Sequence, residues 1–318
     1  MHVELVVTAL PAVQPLPRLP ALELLLARGR RTHVQPLPFE HWLARAFGVA
    51  EAPLPAGALT ALACGRDPGD GYWLRADPVH LEIGAEGVTL TAAGVLALER
   101  AEADALSGAL ARHLGEGFDF FAPSARHWCL RVASEMPIDA QAPAERAGAD
   151  SVLPQGAAAR RALALVTEIQ MVLHDHPVNL AREQRGEPTI NSVWLWGAGR
   201  LPRSARAPWQ SVLSDDPVAA GLARCAGIGH SALPPGALRW LERAPLDGRQ
   251  LCVLDPAPSV QQLETLEQRW FDPLLLALRQ GRIGMLTLRI PDLGDGCEIT
   301  RADLRRIWRR PRPLAARP

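Results

Sequence analysis

The sequence predicts an α/β fold in which a sheet flanked by helices is built from both chain ends, with an α+β subdomain inserted between them. Strand-like and helix-like segments alternate in residues 3–64 and again in residues 217–308, as in parallel sheets. Residues 72–91 instead predict two successive strands, which is typical of an α+β unit. The expected domains are residues 1–72 plus 191–318 for the main sheet and residues 73–190 for the insertion.

The composition narrows the possible functions. The chain has 318 residues, with 34 basic and 34 acidic side chains and a formal net charge of zero. This balance argues against a protein that binds nucleic acid or a membrane over its whole surface. The five cysteines are widely spaced and form no Cys-x-x-Cys pair, which predicts buried free thiols in a reducing cytosol rather than a zinc or disulfide framework.

The N-terminus carries no targeting signal that we recognise. The residues MHVELVVTAL lead directly into Pro11, so we do not expect a signal peptide. No apolar run approaches the roughly 20 residues that a membrane-spanning helix needs. We therefore expect a cytoplasmic protein.

In the first half of the chain, proline and glycine separate short strands and helices. The segment Pro11–Pro20 has four prolines and must be extended, and Pro137–Gly156 predicts a mobile loop. Apolar runs and glycine caps mark the other elements. The predicted strands are Val3–Val7, Tyr72–Ile83, Val88–Thr91 and Trp128–Ala133, and the predicted helices are Leu22–Arg28, Glu40–Phe47, Ala56–Cys64 and Glu99–Leu114.

The second half opens with a helix whose apolar face has helical spacing. That face contains Leu163, Val166, Ile169 and Leu173. Later elements are bounded by proline, glycine and polar segments. They are predicted strands at Gln250–Leu254 and Ile283–Ile290, and predicted helices at Pro217–Ala226, Val260–Gln280 and Arg301–Trp308.

The most informative stretch runs from His174 to Pro202 and reads HDHPVNLAREQRGEPTINSVWLWGAGRLP. Pro177 ends the preceding helix, because its ring removes an amide donor and disfavours helix in the residue before it. The short strand Val193–Trp196 then leads into a turn at Gly197–Arg200, where glycine permits a close backbone approach.

These residues resemble the archaeal-type cofactor-independent phosphoglycerate mutases. The resemblance rests on His-Pro-Val-Asn, on the arginine three residues after that asparagine, and on the run PTINSVWLWGAG, and it extends from about Gly65 to Pro202. Among bacterial proteins, the chain looks most like the RpfE-type regulatory proteins. The resemblance implies an alkaline-phosphatase-like fold, in which Asp and His ligands hold two divalent metals and a Ser or Thr carries the phosphoryl group.

The first positions that the resemblance implies are occupied by residues that cannot do this chemistry. Where the family has a metal-binding aspartate after the first strand, this chain has Thr8. The family spacing places the nucleophile at Ala56. Thr60 is the nearest hydroxyl, one helical turn away, and a structural role in the helix fits it better.

The later metal positions are also changed. By the same resemblance, two ligands after the strand Gln250–Leu254 fall on Ala257 and Gln261, with Asp255 nearby, and only Asp292 remains of an Asp-His pair. No histidine follows His230. Because a metal site needs three or four clustered ligands, we expect a degraded site without metal.

A polar cluster near Pro177 is the candidate ligand-binding site. It contains His174, His176, Asn179, Arg182 and Arg185. Arginine forks bind anions such as a phosphorylated acid. Alternatively, His and Asn cap the helix, while the arginines pair with neighbouring glutamates.

Three further groups have a structural interpretation that we prefer. Asp77, His80 and His127 could bind a metal, but their strand positions favour separate hydrogen bonds. The acidic residues of 292–298 lack the other ligands of a calcium loop, and the glycines there predict a turn. The tail 301–317 has seven arginines around Trp308, and a solvated tail is favoured over a contact with nucleic acid or an acidic partner.

The sequence therefore predicts a mutase-like pseudo-enzyme that regulates or binds a ligand and needs no cofactor. Its partners would be a small phosphorylated or anionic ligand or another protein, with no membrane and with nucleic acid disfavoured. One alternative is an active metal-dependent, 2,3-bisphosphoglycerate-independent phosphoglycerate mutase or phosphatase that uses Mn or Mg. The other is binding of nucleic acid or an acidic partner through the arginine-rich tail.

Overall fold

The computed structural model describes the chain except residues 9–15, 50–53, 85–86, 139, 141, 144–145, 148–158, 244–246, 257–258 and 314–318. The strands of this described part are β1 His2–Val7, β2 Arg30–His33, β3 Tyr72–Gly84, β4 Gly87–Ala92, β5 Phe118–Phe121, β6 Cys129–Val132, β7 Arg146–Ala147, β8 Ser192–Gly199, β9 Ser211–Leu213, β10 Gly229–Ser231, β11 Arg249–Leu254, β12 Met285–Ile290 and β13 Asp295–Thr300.

The α-helices are α1 Pro20–Arg28, α2 Phe39–Ala46, α3 Ala56–Ala63, α4 Arg100–Leu114, α5 Ala159–His174, α6 Pro177–Gln184, α7 Pro217–Cys225, α8 Ala237–Arg243, α9 Val260–Leu266 and α10 Asp272–Gln280. A π-helical turn at Glu267–Phe271 joins α9 to α10, and two 3-10 turns lie at Pro291–Leu293 and Asp303–Arg305.

The first compact unit comprises residues 1–50 and 204–318 and is therefore built from both chain ends. Its seven-stranded sheet has the order β10-β9-β11-β1-β12-β13-β2. The first five strands are parallel, and β13 and β2 add to β12 as an antiparallel edge. The strands alternate with helices along the chain, so the parallel part is made of crossover connections.

One face of this sheet packs against helices α1 and α10. Alternate residues of β1, such as Leu5, have no exposed surface and contact the apolar side chains of the helices, including Leu22 and Leu274. Each such leucine contributes about 1.5–3 kcal/mol by leaving water. This burial holds β1 at the centre of the sheet, and a loop follows its carboxyl end.

The second compact unit comprises residues 51–203. Its sheet has the order β5-β6-β3-β4-β7, and β8 pairs antiparallel with β3 off this path. Helices α4 and α5 cover one face through a core that includes Leu106, Ile169 and Leu195. The long strand β3 is the common element, because it pairs with β4, β6 and β8.

Helix α3 lies very close to the backbone of its sheet. A Cβ on Gly57 would come within 2.5 Å of the Leu74 backbone, and a Cβ on Gly197 would come within 2.5 Å of the Ala56 Cβ. Gly197 also has φ +56°, which other residues rarely adopt. The two glycines therefore set how closely α3 approaches β3 and β8.

The predicted α/β class, with a sheet from both chain ends, is confirmed. The bounds of the two units differ from the expected ones. Residues 191–203 contain β8, which pairs with β3, and α3 packs on the same strands. The structure consequently groups residues 51–72 and 191–203 with the second unit, at bounds 50/51 and 203/204.

Several predicted elements were wrong in detail. The last predicted helix, Arg301–Trp308, is only a 3-10 turn at Asp303–Arg305. The predicted turn after Asp292 is short, because strand β13 already begins at Asp295. The strand containing Val193 continues through Gly199, because antiparallel pairing with β3 tolerates its glycines. Pro177 does separate two helices, but it also opens α6, since proline suits the first helical position.

Two predictions about the chain as a whole can be compared with the structure. In the described residues, no helix is long and apolar enough to cross a membrane. All five cysteines lie in the described part and none of them forms a disulfide. Cys129, Cys252 and Cys297 are buried as expected, whereas Cys64 is exposed.

Candidate functional site

The carboxyl ends of the parallel strands form one edge of the first unit's sheet. Strands β1 and β11 pair in register up to Val7 and Leu254, and β12 lies on the other side of β1. Thr8, Asp255 and Asp292 therefore follow three adjacent strands at this edge. In open α/β sheets, ligands bind outside the carboxyl ends of the strands. This edge is the candidate site, and we call it the carboxyl edge.

The polar groups of the carboxyl edge are few. The Thr8 hydroxyl donates to the carbonyl oxygen of Leu254 at 3.4 Å, so it is used in holding β1 to β11. Asp255 and Asp292 are exposed. Partial desolvation raises the pKa of the Asp292 carboxyl to about 6. Because this pKa lies below neutral pH, the carboxyl is mostly ionised at pH 7.

The sequence analysis missed two further carboxylates at this edge, Asp215 and Asp216, which follow β9. Asp216 caps α7 by accepting the Ala219 amide at 2.8 Å, and Asp215 accepts the Leu233 amide at 3.0 Å. The Asp-Pro pair before a predicted helix was a signal for the first of these caps. The Asp216 side chain thus binds the first turn of its own helix, and the Asp215 side chain binds the segment after β10.

The residues of the carboxyl edge do not fit a two-metal centre. No group of three His, Cys, Asp or Glu side chains in the described residues is placed to hold a metal ion. The undescribed residues 9–15 and 257–258 contain no such residue in the sequence. His230, the last histidine of the chain, donates its Nε2 to the Ser214 carbonyl oxygen at 2.9 Å. The edge offers carboxylates but no imidazole that is free to bind metal.

Three other positions that the resemblance implies belong to other elements or lie outside the described residues. Gln261 is exposed on α9, one turn after the edge, and Ala257 lies outside the described residues. Ala56 opens α3 in the second unit. The neighbouring Thr60 is fully buried, and its hydroxyl accepts from the Arg75 guanidinium at 3.3 Å, which supports the structural interpretation of this threonine.

Asn179 is buried and its side chain is fully used. It donates to the carbonyl oxygens of Leu173 and Ile190 at 2.7 and 2.8 Å, and it accepts the Ile190 amide at 2.8 Å. These bonds link α6 to the end of α5 and to the segment that precedes β8. The amide therefore has a packing role, and its contacts favour the structural alternative for this residue.

Arg182 is 1% exposed and bonds within the protein through all three nitrogens. Its Nε donates to the Pro188 carbonyl oxygen, its Nη2 donates to the Leu96 carbonyl oxygen, and its Nη1 binds Glu102 at 2.7 Å. Arg185 lies on the surface and pairs with both Glu102 and Glu187. The sequence analysis missed Glu102, because its partners are about 80 residues away in the chain.

The two histidines of the cluster differ. His176 caps α6, its Nδ1 accepting the Val178 amide at 3.2 Å, and burial together with the charge of Arg112 lowers its pKa. The side chain of His174 is 81% exposed and lies 3.8 Å from Asp175. Of the five predicted ligand-binding residues, His174 and Arg185 are exposed, His176 is partly exposed, and Asn179 and Arg182 are buried. Ligand binding by this cluster stays a prediction.

Asp77, His80 and His127 do not form a metal-binding group among the described residues. Asp77 is buried and accepts from Arg75 at 2.6 Å and from the Trp196 indole at 2.7 Å. His80 bonds to the Thr189 carbonyl oxygen at 2.8 Å. The preference for separate structural roles agrees with these contacts.

Sequence comparisons relate part of the chain to one group of enzymes. No family model matches it. It is 36% identical over 81 residues to a Geobacter sulfurreducens protein described as a probable 2,3-bisphosphoglycerate-independent phosphoglycerate mutase, which covers 24% of this chain and 20% of that protein. It is 41% identical over 54 residues to the 2,3-bisphosphoglycerate-independent phosphoglycerate mutase of Methanosarcina acetivorans, covering 17% of this chain and 14% of that enzyme. The chain is thus similar to these mutases over at most about a fifth of their length.

A structural comparison covers much more of the chain. The PH0037 protein of Pyrococcus horikoshii matches 93% of this chain and 86% of its own, with a TM-score of 0.57 and 14% sequence identity. At this identity, the likeness concerns the fold. The two compact units therefore occur together in another solved protein of similar size.

Proposed function

We propose that this chain is a phosphoglycerate mutase-like protein that acts by binding, with a regulatory role, and does not carry out metal-dependent phosphoryl transfer. The similarity to mutases supports the first part. The observation that carries the second part is the carboxyl edge. Of the positions where the resemblance implies metal ligands, Thr8 and Gln261 are poor ligands, and Asp292 is followed by Leu293 instead of a histidine.

Two-metal catalysis makes a physical demand that this edge does not meet. Two divalent ions need several carboxylate and imidazole ligands, because these groups must replace the water that the ions lose. Asp215 and Asp216 are bonded to backbone amides, and Asp255 and Asp292 are the carboxylates that follow the central strands.

The ligand that we propose is a small phosphorylated or anionic acid. In the His174–Pro202 stretch, the accessible groups for such a ligand are His174 and Arg185, with side chains 81% and 48% exposed. The regulatory role comes from the resemblance to RpfE-type proteins. The active mutase or phosphatase with relocated ligands and bound Mn or Mg is the competing proposal.

Metal analysis combined with a mutase assay distinguishes the two proposals. The full chain is purified, loaded with manganese, passed through a desalting column, and assayed with 3-phosphoglycerate. We expect no stoichiometric manganese and no turnover, in both the native chain and an Asp255→Asn/Asp292→Asn double variant. Retained manganese, with turnover that the double variant loses, would overturn the proposal.

Calorimetric titration tests the binding part of the proposal. We expect 3-phosphoglycerate to bind the native chain and glycerate to bind more weakly, because the phosphate supplies most of the charge. An Arg185→Gln variant should lose affinity, whereas an Arg160→Gln variant, at the exposed start of α5 and far along that helix from His174, serves as a matched control. Binding of neither acid would refute the ligand that we propose.

A further inference from the structure

One edge of the first unit's sheet combines a short terminal strand with a strong positive charge. In the described residues, β2 is the last strand of the seven-stranded sheet, and Arg30, Arg31 and His33 are exposed along it. An edge strand offers backbone N–H and C=O groups to any extended segment that approaches. We call residues 28–34 and 295–313 together the basic edge.

The C-terminal segment is fixed beside the start of β2. Arg306 Nη1 donates to the Arg28 carbonyl oxygen, and Arg309 Nη1 donates to the Gly29 carbonyl oxygen, both at 3.0 Å. In return, Arg28 Nη1 donates to the Leu304 carbonyl oxygen at 2.7 Å. These three bonds hold the tail against the sheet, so its side chains form a preorganised part of the basic edge.

Large apolar side chains are exposed at both ends of β2. Ile307 and Trp308 are each 73% exposed in the fixed tail, and Val34, directly after β2, is 55% exposed. Single exposed hydrophobic residues need no explanation, but three around one edge strand indicate a contact surface. An indole beside arginines also supplies a large contact area at low entropic cost.

The charge of the basic edge is unbalanced although the whole chain is neutral. The edge contains nine arginines and three carboxylates. Each carboxylate already has a cationic partner: Asp295 binds His33, Glu298 binds Arg30 and Asp303 binds Arg306. Seven of the nine arginines have no ion pair to a described carboxylate. Of these, Arg28 is half-buried, and the exposed ones are Arg31, Arg301, Arg305, Arg309, Arg310 and Arg312.

We infer that the basic edge binds an extended, acidic segment of a partner protein, which adds to β2 as a further strand. The side of β2 that faces away from β13 pairs with no described strand and recognises a peptide main chain, whereas the arginines without an ion pair select for acidic side chains. Ile307, Trp308 and Val34 provide the apolar contacts. A nucleic acid could use the arginines and the indole but not the strand edge, so the combination of features favours a peptide.

A model peptide tests this inference with the full chain. The probe is an acetylated, fluorescent peptide of about twelve residues that alternates Glu and Val, and the comparison peptide has Lys in place of Glu. We expect the acidic peptide alone to bind, more tightly at about 50 mM salt than at about 300 mM, because charge attraction is screened. Its binding should slow hydrogen exchange of backbone amides in Arg30–His33.

Charge-reversal variants locate the binding surface. Arg305→Glu/Arg310→Glu/Arg312→Glu should weaken the acidic peptide at least about tenfold, since three attractive charges become repulsive. The matched control, Arg112→Glu/Arg126→Glu/Arg160→Glu, changes three exposed arginines of the second unit and should leave affinity unchanged. Circular dichroism checks that both variants fold.

Three outcomes would overturn the inference. The first is equal loss in the control variant. The second is peptide binding that leaves exchange of the β2 amides unchanged. The third is an oligothymidylate of about fifteen nucleotides that binds the basic edge more tightly than the peptide and displaces it, which would assign the surface to nucleic acid.

Discussion

The guanidinium of Arg182 and the carboxylate of Glu102 are hydrogen bonded at 2.7 Å, although 80 residues separate them in the chain. The pair joins the first turn of α4 to α6. Burial alone would raise the pKa of Glu102. The Glu99 amide, Arg185 and Arg182 outweigh this effect and lower the pKa. This network gives the arginine of the recognisable motif a structural role.

Replacing Arg182 should strongly destabilise the second unit. An Arg182→Met variant leaves the carbonyl oxygens of Leu96 and Pro188 without their donor and removes the buried cationic partner of Glu102, so we expect a loss of about 3–5 kcal/mol. Urea denaturation measures this loss. The control is Arg185→Met, which removes the exposed partner of the same glutamate and should cost about 1 kcal/mol or less. Equal losses would contradict the assigned role of Arg182.

The buried ion pair on β3 should behave in a similar way. Asp77 accepts from Arg75, from the Trp196 indole and from the Trp128 amide. Burial raises the pKa of Asp77, and these donors oppose the rise. We expect Asp77→Leu to cost about 3–5 kcal/mol because Arg75 is left buried without a counter-charge. The double variant Arg75→Leu/Asp77→Leu should recover part of this loss in urea denaturation monitored by tryptophan fluorescence.

A glycine pair can separate steric contact from backbone strain. Gly197 has φ +56° and its added Cβ would lie 2.5 Å from Ala56, whereas Gly186 has φ +71° and no atom within 4 Å. Gly186→Ala should therefore cost about 1–2 kcal/mol from strain alone. Gly197→Ala should lower the free energy of unfolding clearly more than this, because α3 must also move, and thermal denaturation measures both losses. Similar costs would mean that α3 is not in close contact with β8.

The Asp292 carboxyl predicts a pH dependence of stability. Its folded-state pKa of about 6 lies above the usual value of 3.8, so it holds its proton more tightly in the folded chain. Its contribution to stability is full below about pH 3.8 and is lost as the pH rises through about 6. Asp292→Asn removes this loss.

The difference in urea midpoint between the Asp292→Asn variant and the native chain should therefore be small at about pH 4 and should favour the variant increasingly up to about pH 7. An Asp175→Asn variant, which removes a carboxylate with an 89% exposed side chain, controls for the change in net charge. A constant difference across this pH range would contradict the raised pKa.

Local pattern was sufficient for the parts of the fold that depend on neighbouring residues. Apolar runs bounded by proline and glycine located the strand Val3–Val7, and leucine spacing located the helix Glu99–Leu114, each within about two residues. Short edge strands such as Arg30–His33 were missed, because their side chains are polar and exposed and their pairing partner, β13, is distant in sequence.

The sequence by itself determined the α/β class, since this class depends on which apolar, proline and glycine residues are present and in what order. Tertiary structure decided what the polar residues do. It placed Thr8, Asp255 and Asp292 on one sheet edge, committed Arg182 to Glu102, and made β2 the last described strand of its sheet, beside the arginine-rich tail. These relationships arise between segments far apart in the chain, where burial and charge are set by neighbours that local pattern cannot reveal.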